Sequence, residues 1–187
     1  MPNQAPFLEK MRHAEYARQE DWIVHFLQQA QIGHLATWSG EQPYITPTLF
    51  WYDAEKHEIY FHSNIRGHIR SNAEAHAKVC FETFKAGQPL PSNIALEFSF
   101  QYKSVITFGE IRIVEDEGEK ERLLYGLIEK YFPTMTPGEE YRPITEKELK
   151  RTSVYAIDIQ SWSGKRNWKD RAVQGDEWPP LAEEWFE

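Results

Sequence analysis

Residues 32–51, IGHLATWSGEQPYITPTLFW, contain two runs rich in β-branched and aromatic residues on either side of a turn. The first run is Ile32 to Trp38, the second is Tyr44 to Trp51, and the residues between them have turn composition. This pattern predicts a β-hairpin. Pro47 lies inside the second run and has no N–H to donate, so we expect that strand at the edge of a sheet or bulged there.

Four further strands are predicted after the hairpin: Glu58 to His62, Val79 to Phe84, Phe100 to Val114, and Val154 to Ile159. Alternating side chains predict the second of them, because successive residues of a strand point to opposite faces. In the long third strand the apolar parity changes at Gly109, which predicts a β-bulge there.

Helices are predicted on either side of these strands. Trp22 to Ala30 and Leu123 to Tyr131 each carry one apolar stripe at helical spacing, and Pro133 closes the second. Asn64 to Ala77 is interpreted as a short helix, and Thr134 to Lys150 as a surface excursion. The element order therefore predicts a mainly β fold, an antiparallel barrel with peripheral α-helices.

Composition limits the class of protein. The chain has 187 residues, one cysteine and a net charge of −8. An acidic chain is a poor general binder of nucleic acid or anionic membranes, and a single cysteine, Cys80, allows no intrachain disulfide, which suits a reducing compartment. No apolar run approaches the length of a membrane helix. We therefore expect no nucleic-acid or membrane partner, and a cytoplasmic location.

The segment after the predicted strand at Glu58 to His62 carries the chemistry. Ser63 to Asn72 contains Arg66, His68 and Arg70, and no acidic residue. A helix beginning here would offer free N–H groups to an anion, Gly67 would allow close approach, and the basic side chains would bind a phosphate monoester. The alternative is an ordinary solvated cationic helix.

Other chemistry finds no support in the sequence. His62 and His68 form the only pair that suggests a metal, but no nearby Asp, Glu or Cys completes a ligand set, so no metal site is predicted. No Ser-His-Asp spacing, Walker-type loop or Gly-x-Gly-x-x-Gly run is present. We therefore assign no catalytic side chain.

Five ordered segments resemble the FMN-binding split barrels. They are Ile32 to Thr37, Pro43 to Pro47, Ile59 to Ser63 followed by Gly67 and His68, Val79 to Glu82, and Tyr102 to Gly109. Within that pyridoxamine 5′-phosphate oxidase-like superfamily, the sequence is most similar to the flavin-nucleotide-binding branch related to nitroimidazole-resistance (Nim) proteins. The resemblance covers residues 21–167 and implies a split β-barrel, an FMN cofactor and a homodimer with flavin at the subunit interface.

The resemblance also implies site residues. It places Arg66, Gly67 and His68 at the flavin phosphate, with Arg70 in reserve, since relatives commonly have lysine where this chain has His68. It places Thr46, Pro47, Thr48, His62 and Ser63 along the ring and the ribityl chain. It adds Tyr102, Ser104 and Val105 from the same or the partner subunit. A plain barrel strand is the alternative for that last group.

Three regions follow from this assignment: an N-terminal extension (1–19), a split-barrel FMN domain (20–161) and a tryptophan-rich C-terminal tail (162–187). We expect the tail to pack on the barrel or on the dimer partner, and the alternative is that Trp162 or Trp168 caps the flavin ring of the partner subunit. The tail has no histidine, whereas the vitamin B6 oxidases use a C-terminal arginine and histidine pair for the substrate phosphate. Vitamin B6 oxidation is therefore not expected.

The leading functional hypothesis is an FMN-dependent oxidoreductase. It would transfer hydride from NAD(P)H to a small-molecule acceptor, and a nitro compound is one acceptor that the resemblance allows. The alternative is a non-catalytic protein that binds flavin, or binds haem through a histidine such as His62 or His68.

Overall fold

The computed structural model describes residues 14–186. Within that range, eight strands pair antiparallel in one sheet. The strands are β1 (Ala17–Arg18), β2 (Ile32–Trp38), β3 (Pro43–Leu49), β4 (Trp51–Asp53), β5 (Glu58–Asn64), β6 (Lys78–Leu90), β7 (Ser99–Val114) and β8 (Thr152–Asn167). The α-helices are α1 (Glu20–Gln29), α2 (His68–Ala75), α3 (Glu117–Tyr131) and α4 (Glu146–Leu149).

The sheet closes on itself at Phe50. Its strand order is β3-β2-β6-β7-β8-β5-β4, so β3 and β4 stand at the two ends. Only Phe50 separates these strands in the chain, and the chain itself therefore joins the two edges into a barrel. The predicted hairpin is confirmed, with β2 and β3 in register from Ile32 opposite Leu49 to Trp38 opposite Pro43. Pro47 lies on the end strand of the order, as its missing N–H requires.

The barrel interior forms the main core. Strands β2 and β4 to β8 supply it, with Leu35, Phe61, Phe81 and Val105 among the residues that are essentially inaccessible to solvent. Helix α1 adds the buried face of its apolar stripe to the same cluster. Burial of this amphipathic stripe, rather than intrinsic helix propensity, holds a helix of ten residues in place.

A second cluster lies outside the barrel, where α3 covers β5, β7 and β8. Tyr60, Val114, Leu123, Val154 and Ala156 form it. The helix is capped by a side chain, because the Asp116 carboxylate accepts a hydrogen bond of 2.7 Å from the Glu119 N–H. Two faces of β5 are therefore used, one toward the barrel interior and one toward α3.

Several sequence-based boundaries require correction. The predicted bulge exists at Gly109, but the extra residue is Gln160 in β8, since Phe108 pairs with Ser161 and Gly109 with Ile159. In β7 every second residue from Val105 through Ile111 is buried, so the same face points to the core on both sides of Gly109. The half-buried apolar residues Ile106 and Phe108 on its outer face caused the apparent change of parity.

Two other elements differ in length from the prediction. Helix α2 begins only at His68, because the chain bends through Ile65 to Gly67 after β5. Strand β8 continues to Asn167, so Trp162 lies inside the last strand and not after it. No helix within residues 14–186 is long and apolar enough to cross a membrane.

We predict that Gly109→Ala destabilises the protein by about 3 kcal/mol. A Cβ at this position would stand 2.0 Å from the Asp158 carbonyl oxygen, and a paired strand backbone cannot move away cheaply. Urea denaturation measures the loss. Gly118→Ala is the matched control, because its Cβ would meet nothing closer than 3.4 Å; equal free energies of unfolding for the two variants would contradict the prediction.

Candidate functional site

The barrel splits between β3 and β5. Strand β4 pairs with β5 only from Trp51 opposite Tyr60 to Asp53 opposite Glu58, whereas β3 turns away to pair with β2. The half of β5 beyond Tyr60 therefore has a strand partner only on its β8 side. This opening, the split cleft, runs between Thr46 to Leu49 on one wall and Phe61 to Asn64 on the other.

Two contacts show how the cleft walls run. Leu49 and His62 line the same cavity, and the Tyr44 ring centroid lies 4.9 Å from that of His68. Strand β3 therefore extends beside the whole segment from His62 to His68. The predicted residues Thr46, Pro47, Thr48, His62, Ser63, Arg66, Gly67 and His68 are all brought to this one region.

The loop before α2 has the geometry of an anion site. The Asn64 side-chain oxygen accepts a hydrogen bond of 3.1 Å from the Arg66 N–H. Gly67 has φ = 138° and serves as the N-cap, with no side chain capping the helix. A Cβ at Gly67 would meet nothing within 4 Å. The first N–H groups of α2 therefore have no capping side chain, and the positive φ of Gly67 is a backbone conformation that favours glycine.

Arg66 and Arg70 differ in their surroundings. Among residues 14–186, the Arg66 guanidinium has no hydrogen-bonding or ionic partner. Arg70 donates to Glu74 at 2.6 Å and to Ser153 at 3.2 Å, and it lies 3.5 Å from a Glu115 oxygen. A phosphate would therefore have to compete with Glu74, Ser153 and Glu115 for the Arg70 guanidinium.

The start of α2 is fixed to the hairpin by buried hydrogen bonds. The buried Asn72 amide donates to the Thr37 hydroxyl at 2.8 Å, and that hydroxyl donates to the Tyr44 carbonyl oxygen at 3.3 Å. Ser63 is fixed in a similar way, with its hydroxyl 2.9 Å from the Tyr155 hydroxyl. These contacts connect the walls of the cleft to residues 65–67, the loop before α2 that we call the anion loop.

The cavity beside His62 has a volume of about 560 Å³. Its wall is mostly apolar, from Leu49, α3 and the segment before α4, with polar groups at Tyr131, Tyr141, Arg142, Glu148 and Thr152. Although part of His62 faces solvent, desolvation lowers the pKa of its imidazole below the ordinary value. A lowered pKa favours the neutral ring, in which one nitrogen has a lone pair available. Arg142 and Glu148 neutralise each other at 2.6 Å.

Four of the predicted residues lie elsewhere in the chain. Strand β7 carries Tyr102, Ser104 and Val105. They lie about ten residues, and so about 30 Å along the strand, from Glu115, the residue after β7 that contacts Arg70. Val105 is fully buried in the barrel core, so its side chain cannot contact a ligand in the cleft. Trp162 packs 4.4 Å from the His57 ring, about 20 Å along β5 from Asn64.

Sequence reasoning missed the residues that hold the cleft open. Lys130 Nζ donates to the carbonyl oxygens of Ala30 at 2.7 Å and Phe50 at 2.8 Å. The Tyr131 hydroxyl accepts from the Phe50 N–H at 3.0 Å and lies within donating distance of the Gln31 and Phe50 carbonyl oxygens. We call these contacts the Phe50 clamp. The sequence signal for this clamp was Lys130, a basic residue directly before Tyr131 at the end of the amphipathic helix α3.

Comparison with known proteins identifies the family. Residues 19–166 match the family model described as pyridoxamine 5′-phosphate oxidase. The chain belongs to that family. The match extends from the start of α1 nearly to the end of β8 and leaves residues 167–187 outside. The predicted family and the split-barrel fold are confirmed. No match was found among curated proteins.

Solved structures share this fold at low sequence identity. A flavocytochrome from Azotobacter vinelandii is 22% identical with a TM-score of 0.82, over 92% of this chain and 78% of that one. A FAD and heme binding protein from Mycobacterium smegmatis is 21% identical with a TM-score of 0.73, over 89% and 76%. A protein assigned to 5-nitroimidazole antibiotic resistance in Bacteroides thetaiotaomicron is 18% identical with a TM-score of 0.65, over 84% and 95%.

The Phe50 clamp predicts a pH dependence. Burial lowers the pKa of Lys130 from 10.5 to about 8. The unfolded chain then binds the extra proton between about pH 8 and pH 10.5, so this residue raises the free energy of unfolding as pH increases through that window, by about 3 kcal/mol in all. Below pH 8 the folded protein carries the full cost of the buried charge.

Lys130→Met provides the comparison, because it keeps the aliphatic stem and removes the titration. We expect the difference in unfolding free energy between wild type and variant, measured by denaturant titration, to shift toward wild type from pH 7.5 to pH 10. Groups common to both proteins cancel in this difference. A difference that stays constant with pH would rule out a depressed pKa at Lys130.

Proposed function

We propose that the protein is a cytoplasmic FMN-binding flavoprotein and an oxidoreductase that transfers hydride from NAD(P)H to a small acceptor. The observation that carries the flavin assignment is the anion loop at the end of the split cleft. An open glycine, uncapped helix N–H groups and an Arg66 guanidinium without a protein partner fit a phosphate monoester. The single cysteine supports a reducing compartment.

The loop residues have distinct roles in this proposal. The N–H groups at the start of α2 bind the phosphate oxygens, and Arg66 adds a charge-assisted hydrogen bond. His68 packs at a tilt against the Tyr44 ring and supports the same end of the cleft. Thr46, Thr48 and Ser63 offer hydroxyl groups along the ribityl chain, while Pro47 and His62 flank the ring. Because phosphate monoesters bind here, riboflavin is expected to bind less tightly than FMN.

Bound FMN would supply a ring that accepts hydride from a reduced nicotinamide and delivers two electrons to an acceptor, which also takes up two protons. The chain's contribution is to orient that ring and to control access to it. The apolar cavity next to Leu49 and His62 provides space for an uncharged acceptor of moderate size. A nitro compound is one such acceptor, and a neutral His62 beside it can donate a hydrogen bond.

A homodimer forms part of the proposal. Ser104 and Tyr102 lie about 30 Å along β7 from the end that contacts Arg70, so we expect a partner subunit to bring them to a flavin phosphate. Ile45 on β3 is 64% exposed and Phe98 before β7 is 61% exposed, which provides apolar surface for such contact. Trp162 is already packed against Tyr52 and His57, which supports packing within its own barrel over flavin capping.

Haem is the second candidate ligand, and one observation favours it. His62 presents a neutral imidazole at the wall of an apolar cavity of about 560 Å³, and a neutral imidazole is the form that ligates iron. Two structures of the same fold come from a flavocytochrome and from a FAD and heme binding protein. FMN and haem in separate parts of one cleft are compatible with this geometry.

The family name does not transfer as an activity. Vitamin B6 oxidation would need a group for the substrate phosphate in the C-terminal segment, and no histidine follows His76 in this sequence. In the structure, β8 ends at Asn167, whose side-chain amide donates to Ser99 and to the Phe100 carbonyl oxygen. We therefore propose a different acceptor for the flavin's electrons.

Arg66→Gln tests the phosphate assignment. We expect it to weaken FMN binding roughly tenfold or more and to leave riboflavin binding unchanged, because only the phosphate contact is removed. Flavin fluorescence quenching measures both affinities. Arg70→Gln is the matched control, since Arg70 is paired with Glu74 and Glu115; it should have a smaller effect. Equal losses for FMN and riboflavin in Arg66→Gln would overturn the assignment.

The absorbance of the purified protein tests the function directly. FMN-loaded protein should show flavin bands and should oxidise NADH or NADPH in the presence of an acceptor such as a nitroaromatic compound or a quinone. Flavin bands without any NAD(P)H oxidation would leave a flavin-binding protein and reject the oxidoreductase. A Soret band that disappears in His62→Ala, with flavin retained, would establish the haem candidate.

A further inference from the structure

Three cations stand side by side across three neighbouring strands. Lys85 of β6 lies directly opposite Lys103 of β7, and Lys103 lies directly opposite Arg166 of β8. Paired residues of neighbouring strands point to the same side of a sheet, and like charges in such positions repel each other. We call these residues the cation row. Burial, Arg166 and Lys85 together lower the pKa of Lys103.

The row has no acidic partner within residues 14–186. No side chain of the three forms an ion pair there, although the chain contains 29 acidic and 21 basic residues. Lys103 makes a cation–π contact instead, with its Nζ 4.7 Å from the Trp168 ring centroid. An uncompensated row on an acidic protein costs stability, which an anionic ligand would recover.

A cavity of about 450 Å³ opens beside the row, between β6 and the end of α1. Lys85 and Lys103 supply its charge, Phe84 supplies an aromatic ring that is 56% exposed, and Gln29 and Gln31 also line it. Lysine ammonium groups suit phosphate, an exposed ring suits a base, and amide side chains suit the hydrogen-bonding edge of that base. The combination fits a nucleotide.

The row is distinct from the anion loop before α2 but connected to the split cleft. It lies at the β6–β7 end of the barrel, and it occupies the face of β7 opposite to Tyr102 and Ser104. Ile32 lines the row's cavity, and its cross-strand partner Leu49 lines the cavity beside His62. A ligand with phosphates on the row can therefore extend over Ile32 and Leu49 toward the cleft.

We propose that the cation row binds the phosphate groups of the pyridine nucleotide that serves as electron donor. This inference rests on the proposed oxidoreductase function, since it assigns a place to that enzyme's donor. The length of a dinucleotide suits a site in two parts, with the diphosphate on Lys85, Lys103 and Arg166 and the nicotinamide ring directed across the Ile32–Leu49 pair.

Titration calorimetry with ADP, the diphosphate portion common to NADH and NADPH, tests the row without any redox chemistry. We expect ADP to bind the full-length protein, and the Lys85→Gln/Lys103→Gln variant to bind it at least about tenfold more weakly. Lys78→Gln is the control, because Lys78 lies on the same strand β6 at its other end, opposite Glu110. Arg66→Gln should bind ADP as wild type does.

Thermal unfolding without ligand provides the folding control. Removal of like charges should leave the melting temperature of the double variant unchanged or higher, and ADP should raise the melting temperature of wild type only. FMN loading, measured by absorbance, should be equal in both proteins. The proposal is overturned if ADP binding persists in the double variant, if it is lost in Arg66→Gln instead, or if the row variant loses FMN and not ADP.

Discussion

The Phe50 clamp is the contact on which the rest of the site depends. At Phe50 one long strand changes partners, from β2 before it to β5 after it, and a backbone at such a change has N–H and C=O groups outside both ladders. Tyr131 and Lys130 satisfy them from the end of α3. An unpaired buried backbone group costs free energy comparable to a lost hydrogen bond. Helix α3 therefore makes the split possible, and the split creates the cleft.

The same clamp explains why a buried lysine is tolerated. Lys130 Nζ donates to two carbonyl oxygens and lies 3.9 Å from the Phe50 ring centroid, but no carboxylate within residues 14–186 pairs with it. Carbonyl dipoles and a ring face compensate a charge only partly, which is why the pKa falls. The change of strand partner at Phe50 therefore reduces the free energy of unfolding, as expected for an element that shapes a binding site.

Local patterns in the sequence were sufficient to predict the hairpin and the two long helices, because each depends on neighbouring residues. Turn composition fixed Ser39 to Gln42, and the basic run marked Arg66 to His68. Contacts distant in sequence could not be predicted in this way. Nothing local indicates that Lys130 reaches Ala30 across 100 residues, or that the extra residue of the bulge belongs to β8. The parity argument for β7 was wrong because the half-buried apolar residues Ile106 and Phe108 lie on its outer face, and their packing there depends on distant parts of the chain.

Charge pairing separates structural cations from those that can bind ligands. Arg112 bridges Glu58 and Glu119, Arg142 pairs with Glu148, and Arg171 with Glu183. This chain has more carboxylates than basic side chains, so a cation without a carboxylate partner lacks one because of its position in the fold. Arg66 and the cation row are in this position within residues 14–186. Cations without partners at two separate openings can each accept an anionic group, and the proposed dinucleotide donor and flavin phosphate would supply one group each.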